Sequence, residues 1–387
     1  MVRMTGAAGP GIRAIVADAS RGRLIGVERE YEVADEHGPV DVRRLWALLP
    51  SPGASLDPGD PLARRGPSGG VITADGRHGE VATPPVVLRP GCTTDVLALA
   101  GAGEHHLAAQ LSPRKLTGYS THLNVQVADR RVVSVARLIA GRLALPLMLA
   151  LDRRDSPGLL VRPRPGRLEI GGEFVCGDQL RAAMGLTVGM VMLAEHRPAL
   201  ARPRLSCLPR PEVTPAVERF GWFVDRRAFG PDLYAGGRDT RLGALTAGAV
   251  LLRLWESARP HTRGVLADSE IDLVDRAVTG DLPLPLELPT NDDGAVPLAP
   301  GGRDYGPRNR GGIEVRVLRA TWWRAVLEIR GPASERWLTV PGRALDALLD
   351  ALDGGELDAD LALLTGQHTR TRGLPRPVRA RLRGRSV

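Results

Sequence analysis

Lysine is almost absent from this chain. Of 387 residues only Lys115 is a lysine, so nearly all of the 52 basic side chains are arginine. The formal net charge of +8 invites a nucleic-acid reading. The arginines are spread along the whole chain, however, among 46 glycines and 32 prolines. That is a compositional habit rather than a local basic device, and nucleic acid is not the expected partner. The exception is residues 368–387, with seven arginines, two prolines and no acid, which read as a basic disordered tail.

Aromatic residues make up 4% of the chain, so its core must rest on Leu, Val, Ala and Ile. Cysteine is scarce too. Cys92, Cys176 and Cys207 are far apart, odd in number and without a CxxC spacing. This argues against a disulfide framework or a cysteine zinc site, and fits a reducing, cytoplasmic setting. No charged segment followed by an apolar run and a cleavage site opens the chain, so no secretory leader is expected. The longest apolar stretch, 138–151, is broken by Arg142 and is too short to cross a bilayer; no membrane association is expected. There is no GxxxxGK[ST] loop and no kinase glycine-rich loop. A nucleotide bound here must be held by other means.

What the chain does have is carboxylates on strands. In Ile25-Gly-Val-Glu28-Arg-Glu30-Tyr-Glu32-Val33 strict alternation puts Ile25, Val27, Arg29, Tyr31 and Val33 on one face and Glu28, Glu30 and Glu32 on the other. Three carboxylates on one strand face repel unless solvent or a divalent cation screens them. A second polar strand carries His78 and Glu80 and stops at Pro84-Pro85, because proline cannot donate to a ladder. A third, 116–127, puts Ser120, His122, Asn124 and Gln126 opposite Thr121, Leu123, Val125 and Val127. A fourth offers Glu169 and Glu173, and a late one offers Glu314 and Arg316.

If these strands share a sheet, at least five carboxylates and a histidine converge on one face. Such clusters suit Mg²⁺ or Mn²⁺, and cations of this kind beside arginines serve the handling of ATP phosphates.

Periodicity predicts strands at 12–17 and 23–33 and a short helix at 40–49. The predicted helices that follow are 93–111 (capped by Thr93 or Thr94), 131–151, 179–195, 241–257 and 268–278 (capped by Ser269 or Asp268). Late strands at 312–320 and 325–330 precede helical segments at 340–352 and 357–364. Residues 51–70, 198–215 and 280–312 are rich in proline, glycine and polar residues and read as loops or boundaries. The expected division is 1–300 as catalytic domain, 301–366 as a small α+β region, and 367–387 as tail.

The Gly-Val-Glu28-Arg-Glu30-Tyr strand, the Glu80-Val-Ala-Thr-Pro-Pro85 element and the Tyr119–Asn124 strand, in this order, resemble the glutamine-synthetase-like superfamily. Two branches are similar. One is the glutamate–cysteine ligase type of carboxylate–amine ligase. The other is the Pup ligase and depupylase family, whose second element resembles His78-Gly-Glu80-Val-Ala-Thr83 and whose third pairs a histidine with an asparagine two residues on, like His122 and Asn124. The resemblance covers about residues 26–195.

It implies an α+β fold with a concave antiparallel sheet backed by helices, and an ATP- and Mg²⁺-dependent ligase that forms an amide through an acyl phosphate. It implies Glu28, Glu30 and Glu80 as metal ligands, His122 beside the metal or the phosphates, and Asn124 in the nucleotide site. Glu314 or Glu169 would complete the metal set, the first favoured by the Glu-x-Arg pattern with Arg316 and the second by spacing. Arg316 would neutralise the transferred phosphoryl group. The partner would be an amino acid or a protein carboxylate tail. A depupylase-like hydrolase using nucleotide as cofactor, and a degenerate non-catalytic homologue, are the alternatives. Arg29, Asn124 and Gly171 depart from the family pattern, and the chain is shorter than typical Pup-pathway enzymes.

Overall fold

In this computed structural model the structure describes residues 9–19, 22–46, 62–154, 156–196, 211, 213–216, 221–230, 233–288, 304–332 and 334–366. The expected basic tail lies outside the described residues, as do most of the 51–70 and 198–215 loops and the centre of the 280–312 boundary.

The long polar-faced strands share one antiparallel sheet. It contains β1 (Leu24–Asp35), β2 (Gly38–Val40), β3 (Arg64–Arg65), β4 (Val71–Asp75), β5 (His78–Ala82) and β6 (Val86–Val87). It continues with β7 (Lys115–Gln126), β8 (Gly158–Arg164), β9 (Arg167–Glu173), β10 (Thr214–Ala216) and β11 (Gly221–Asp225). The order is β10-β11-β8-β9-β7-β1-β5-β4-β3, with β2 and β6 also pairing with β1. β1 therefore lies near the middle, between β7 and β5.

The apolar face of this sheet carries Ile25, Val27, Leu123, Val125, Leu159, Val161, Leu168 and Ile170, all buried. Helices cover it. After α1 (Pro10–Asp18), which packs on the last helices of the chain, come α2 (Val42–Trp46) and α3 (Cys92–Leu111) against the sheet. α4 (Asp129–Leu138) leads through a π-helical turn into α5 (Ala144–Leu151), and α6 (Gly177–Glu195) follows. α7 (Ala247–Thr262) and α8 (Asp268–Thr279) form an outer layer on α6. There Gly185 faces Val274 and Gly189 faces Trp255, so close that a methyl group at either glycine would lie 2.7 Å from its neighbour. The continuous 129–151 helix is long and apolar enough to cross a membrane, but 67% of its most apolar window is buried within the protein.

A small hairpin, β12 (Arg241–Leu242) and β13 (Leu245–Thr246), occupies the first part of the predicted 241–257 helix. α7 starts after it, with Thr246 accepting a capping bond from Ala249 N at 3.2 Å. A second antiparallel sheet, β14 (Arg308–Arg310), β15 (Ile313–Ala320), β16 (Arg324–Arg330) and β17 (Glu335–Pro341), is followed by α9 (Leu345–Asp353) and α10 (Asp358–Thr365).

Two further local expectations are corrected. Residues 10–18 are helix, not strand. Pro10 suits a first helical turn, and Ile12, Ile15, Val16 and Ala19 recur at three- and four-residue spacing toward the core. The other correction concerns caps. α8 begins at Asp268 after Ala267, so neither Asp268 nor Ser269 is its N-cap. α3 begins at Cys92 after Gly91, so neither Thr93 nor Thr94 is its N-cap. Instead the Glu270 carboxylate, from the first turn of α8, accepts from Gly91 N, Thr93 N and Thr93 Oγ1 at 3.0, 2.8 and 2.6 Å. It also accepts from Ala267 N at 2.7 Å, so one buried carboxylate serves the N-termini of two helices.

Candidate metal and nucleotide site

The strand registers bring side chains distant in sequence onto one face. Glu28 of β1 is paired with His122 of β7, which is paired with Gly171 of β9. One row away Glu30 is paired with Glu80 of β5, and Glu80 with Thr73 of β4. On the other side Asn124 is paired with Glu169, and Glu169 with Arg162 of β8. Because alternate residues share a face, Glu28, Glu30, Glu80, His122, Asn124 and Glu169 all belong to the face opposite the helices.

Two groups form there. Ligand atoms of Glu28, His122 and Glu169 lie within 4.8 Å of one another, and so do those of Glu30, Asp75 and Glu80. His122 links the two groups. Its Nδ1 is 3.6 Å from Glu28 and 3.7 Å from Glu169, and its Nε2 is 3.7 Å from Glu30. Gly171 leaves the space for this ring, since a Cβ there would come within 2.9 Å of His122 Cδ2.

Arginines close one end of the face. Glu169 is paired with Arg162 and, at 2.7 Å, with Arg164. Arg167 Nε donates to Asn124 Oδ1 at 2.8 Å, and its Nη2 lies 3.8 Å from Glu28. Asn124 is thus buried and engaged in aiming an arginine. Cation-rich at β8–β9 and acid-rich at β4–β5, the face is electrically polarised along the sheet.

At the acid end, among the described residues, the charge of His122 and a hydrogen bond from Ser120 oppose the burial of Glu30 without outweighing it. Two carboxylates about 4 Å apart in a partly screened site repel by about 4 kcal/mol. Burial, and then the charges of Glu28, Glu30, Asp75 and Glu169, hold the Glu80 carboxyl well above its ordinary pKa. Burial also raises Glu30, with Asp75 adding to the shift. For Glu28 burial acts upward but is outweighed by the hydrogen bond and charge of His122 and by Arg167 and Arg162, leaving it below the ordinary value. Burial alone would lower His122, but Glu28, Glu169 and Glu30 together raise it. The donors are carboxylates and one imidazole, without thiolate. That set, with three mutually repelling carboxylates at one end, fits a hard divalent cation.

The predicted residues separate into two groups. Glu28, Glu30, Glu80, His122, Asn124 and Glu169 come together. Glu314 and Arg316 do not join them. Both lie on β15 of the second sheet, where their side chains pair with each other at 3.1 Å. Of the two residues expected to complete the set, Glu169 is the one within the cluster, and the arginines beside it are Arg162, Arg164 and Arg167. Glu32 is exposed beyond the cluster.

Arg29 departs from the sequence pattern without touching this face. It is fully buried on the helix side, bonded to Glu104 at 3.1 Å and lying 4.1 Å from the centre of the Phe174 ring.

Sequence reasoning missed Asp75, the arginines at 162, 164 and 167, and Tyr119. Register slips by one residue between Glu30 and Tyr31, which leaves Tyr119 as the extra residue of a bulge on β7. Its ring stacks on His78, with centroids 3.9 Å apart.

A cavity of about 650 Å³ opens over this face. Glu28, Glu80, Thr73, Asn124 and Arg167 line one wall, and the β15–β16 turn, 319–324, lines the other.

No protein-family model matches the chain, and no curated protein matches it. Among solved structures, the complex between the prokaryotic ubiquitin-like protein Pup and its ligase PafA is matched with a TM-score of 0.39 at 14% identity, over 68% of this chain. The chain spans 65% of the length of that matched chain. The chain is an α+β protein whose large antiparallel sheet is backed by helices on one face and carries a polar, carboxylate-rich cluster on the other.

Proposed function

We propose that this protein is an ATP- and Mg²⁺-dependent carboxylate–amine ligase of the glutamine-synthetase-like type. The observation that carries the reading is the polarised sheet face. Glu28, Glu30, Glu80 and His122 crowd at its centre and acid end, and Arg162, Arg164 and Arg167 stand at the other, the first two paired with Glu169. The ordered sequence resemblance across β1, β5 and β7 supports it independently.

Glu28, Glu30, Glu80 and His122, with Asp75 and Glu169 beside them, are the residues that would hold divalent cations. When bound, such ions neutralise phosphate oxygens and orient the triphosphate. The protein's own part is positioning and electrostatics. Arg167, aimed by Asn124, carries positive charge to the cavity wall, where negative charge develops on a transferred phosphoryl group. A substrate carboxylate takes the γ-phosphoryl group of ATP and ADP leaves. An amine then displaces phosphate from the acyl phosphate, forming an amide and releasing a proton. The acid is an amino acid or the carboxylate tail of a protein.

The test is ADP production in Mg²⁺ across a panel of amino acids and peptides bearing free carboxylates. A ligase forms one ADP per amide bond. Glu28→Gln is expected to abolish that turnover, and a fully active Glu28→Gln protein would remove the basis of the assignment. Amide hydrolysis with nucleotide persisting unconsumed would instead make this a hydrolase on the same scaffold.

A further inference from the structure

The far wall of the cavity belongs to the second sheet, and its composition is unlike the rest of the chain. Aromatics are 4% of the residues, yet Trp322 and Trp323 stand adjacent in the β15–β16 turn and both line the cavity. Arg319 and Arg324 flank them on the same wall.

The turn is seated by close contacts. A Cβ on Gly26 of β1 would lie 3.4 Å from Trp322. Gly166, at φ +70°, accommodates the Trp323 ring where any side chain would clash with it. The Arg167 guanidinium lies 5.5 Å from the centre of the Trp322 ring. Trp323 is nonetheless 53% exposed. An indole held in place at a cavity mouth, with half its surface open, offers a flat π-surface for a planar ligand.

We infer that the β15–β16 turn is the base-binding wall of the cavity: Trp322 and Trp323 take the planar base of a nucleoside triphosphate, with Arg167 and Arg319 along the path toward Glu28 and Glu80. This inference rests on the nucleotide reading above and deepens it. A ligand with a flat base, a run of negative charge and divalent counter-ions meets, in that order, indoles, guanidiniums and carboxylates. The second sheet then supplies part of the site, although its own predicted site residues, Glu314 and Arg316, lie elsewhere.

The experiment compares ATP with inorganic tripolyphosphate, which keeps the charge and lacks the base. Both are titrated calorimetrically with Mg²⁺ into the full chain, wild type and the Trp322→Ala and Trp323→Ala variants. A stacked base is expected to favour ATP over tripolyphosphate by about tenfold in the wild type. At least one alanine variant should erase that preference without weakening tripolyphosphate. Trp322→Phe, which keeps a ring, should retain most of it and guards against a folding defect.

Equal wild-type affinity for the two ligands overturns the base-binding wall while leaving the metal–phosphate reading intact. So does a parallel loss for both ligands in each alanine variant, or an unchanged preference in both. Failure of the wild type to bind either ligand removes the nucleotide reading, and the inference with it.

Discussion

At the scale of single residues, Gly171 is the position where a minimal change should separate site from fold. A Cβ there would meet His122 Cδ2 at 2.9 Å and Nε2 at 3.2 Å, so the ring must move. Gly171→Ala is expected to cost about 1–3 kcal/mol in stability through local overpacking. The displaced imidazole should weaken Mn²⁺ binding by an order of magnitude or more. Urea unfolding and Mn²⁺ titration read the two effects separately.

Asp152 gives a prediction about pH. It is fully buried at the end of α5, and its Oδ2 accepts from Tyr234 OH. Burial is the main cause of a carboxyl pKa raised to about 7. The folded-state value lies above the unfolded one, so its contribution to stability is complete below about pH 4 and is lost as pH rises through 7. Asp152→Asn should therefore flatten the pH dependence of urea stability between pH 4 and 8. An unchanged slope would mean that Asp152 is ionised in the folded protein.

At the scale of elements, the Glu270 carboxylate is the feature most sensitive to truncation. Four bonds converge on it from the starts of α3 and α8. Glu270→Ala leaves three buried or partly buried backbone donors and one hydroxyl without this acceptor. The expected loss is about 3–5 kcal/mol, measured by equilibrium unfolding. Hydrogen exchange should rise first in the opening turns of both helices. Loss confined to one helix would show that the shared cap is not a single unit.

Elements also show what the sequence makes legible. β1 and β7 announce themselves, because apolar and polar residues alternate over long stretches and one face must meet the helices. The grouping of Glu28, Glu30, Glu80, His122 and Glu169 follows once those strands are adjacent. Register is a different matter. Nothing local tells that Asn124 sits across from Glu169, that Arg162 sits across from Glu169 in turn, or that a bulge swings Tyr119 toward His78. The α3 cap was illegible for the same reason, since Glu270 is 177 residues from Thr93. Residues 12–17 misled because a short apolar run satisfies both strand and helix patterns. Their helix is also tied to the other end of the chain, Ile12 N donating to Asp360 at 2.7 Å.

At the scale of the whole molecule, the two sheets are joined by a buried carboxylate as well as by the cavity. Asp346 of α9 accepts from Val87 N of β6 at 3.1 Å and from Tyr305 OH at 2.7 Å, with Arg89 3.7 Å away. Asp346→Ala is expected to lower stability by about 2–4 kcal/mol, since it removes the acceptor shared by Val87 N and Tyr305 OH. It should also raise hydrogen exchange along β15 and β16. Because the β15–β16 turn forms a cavity wall, loosening that junction should weaken ATP more than tripolyphosphate, by the logic of a base-binding wall.

The central claim is that the polar face of the large sheet binds nucleotide through divalent cations. The most direct measurement is calorimetric titration of ATP into the wild-type chain with Mg²⁺ and with Mg²⁺ removed by chelation, repeated for Glu28→Gln and Glu80→Gln. The account predicts binding in the wild type that depends on Mg²⁺ and is lost or reduced at least tenfold in both variants. ATP binding of equal strength with and without Mg²⁺, or full Mg²⁺-dependent binding in both variants, would contradict it.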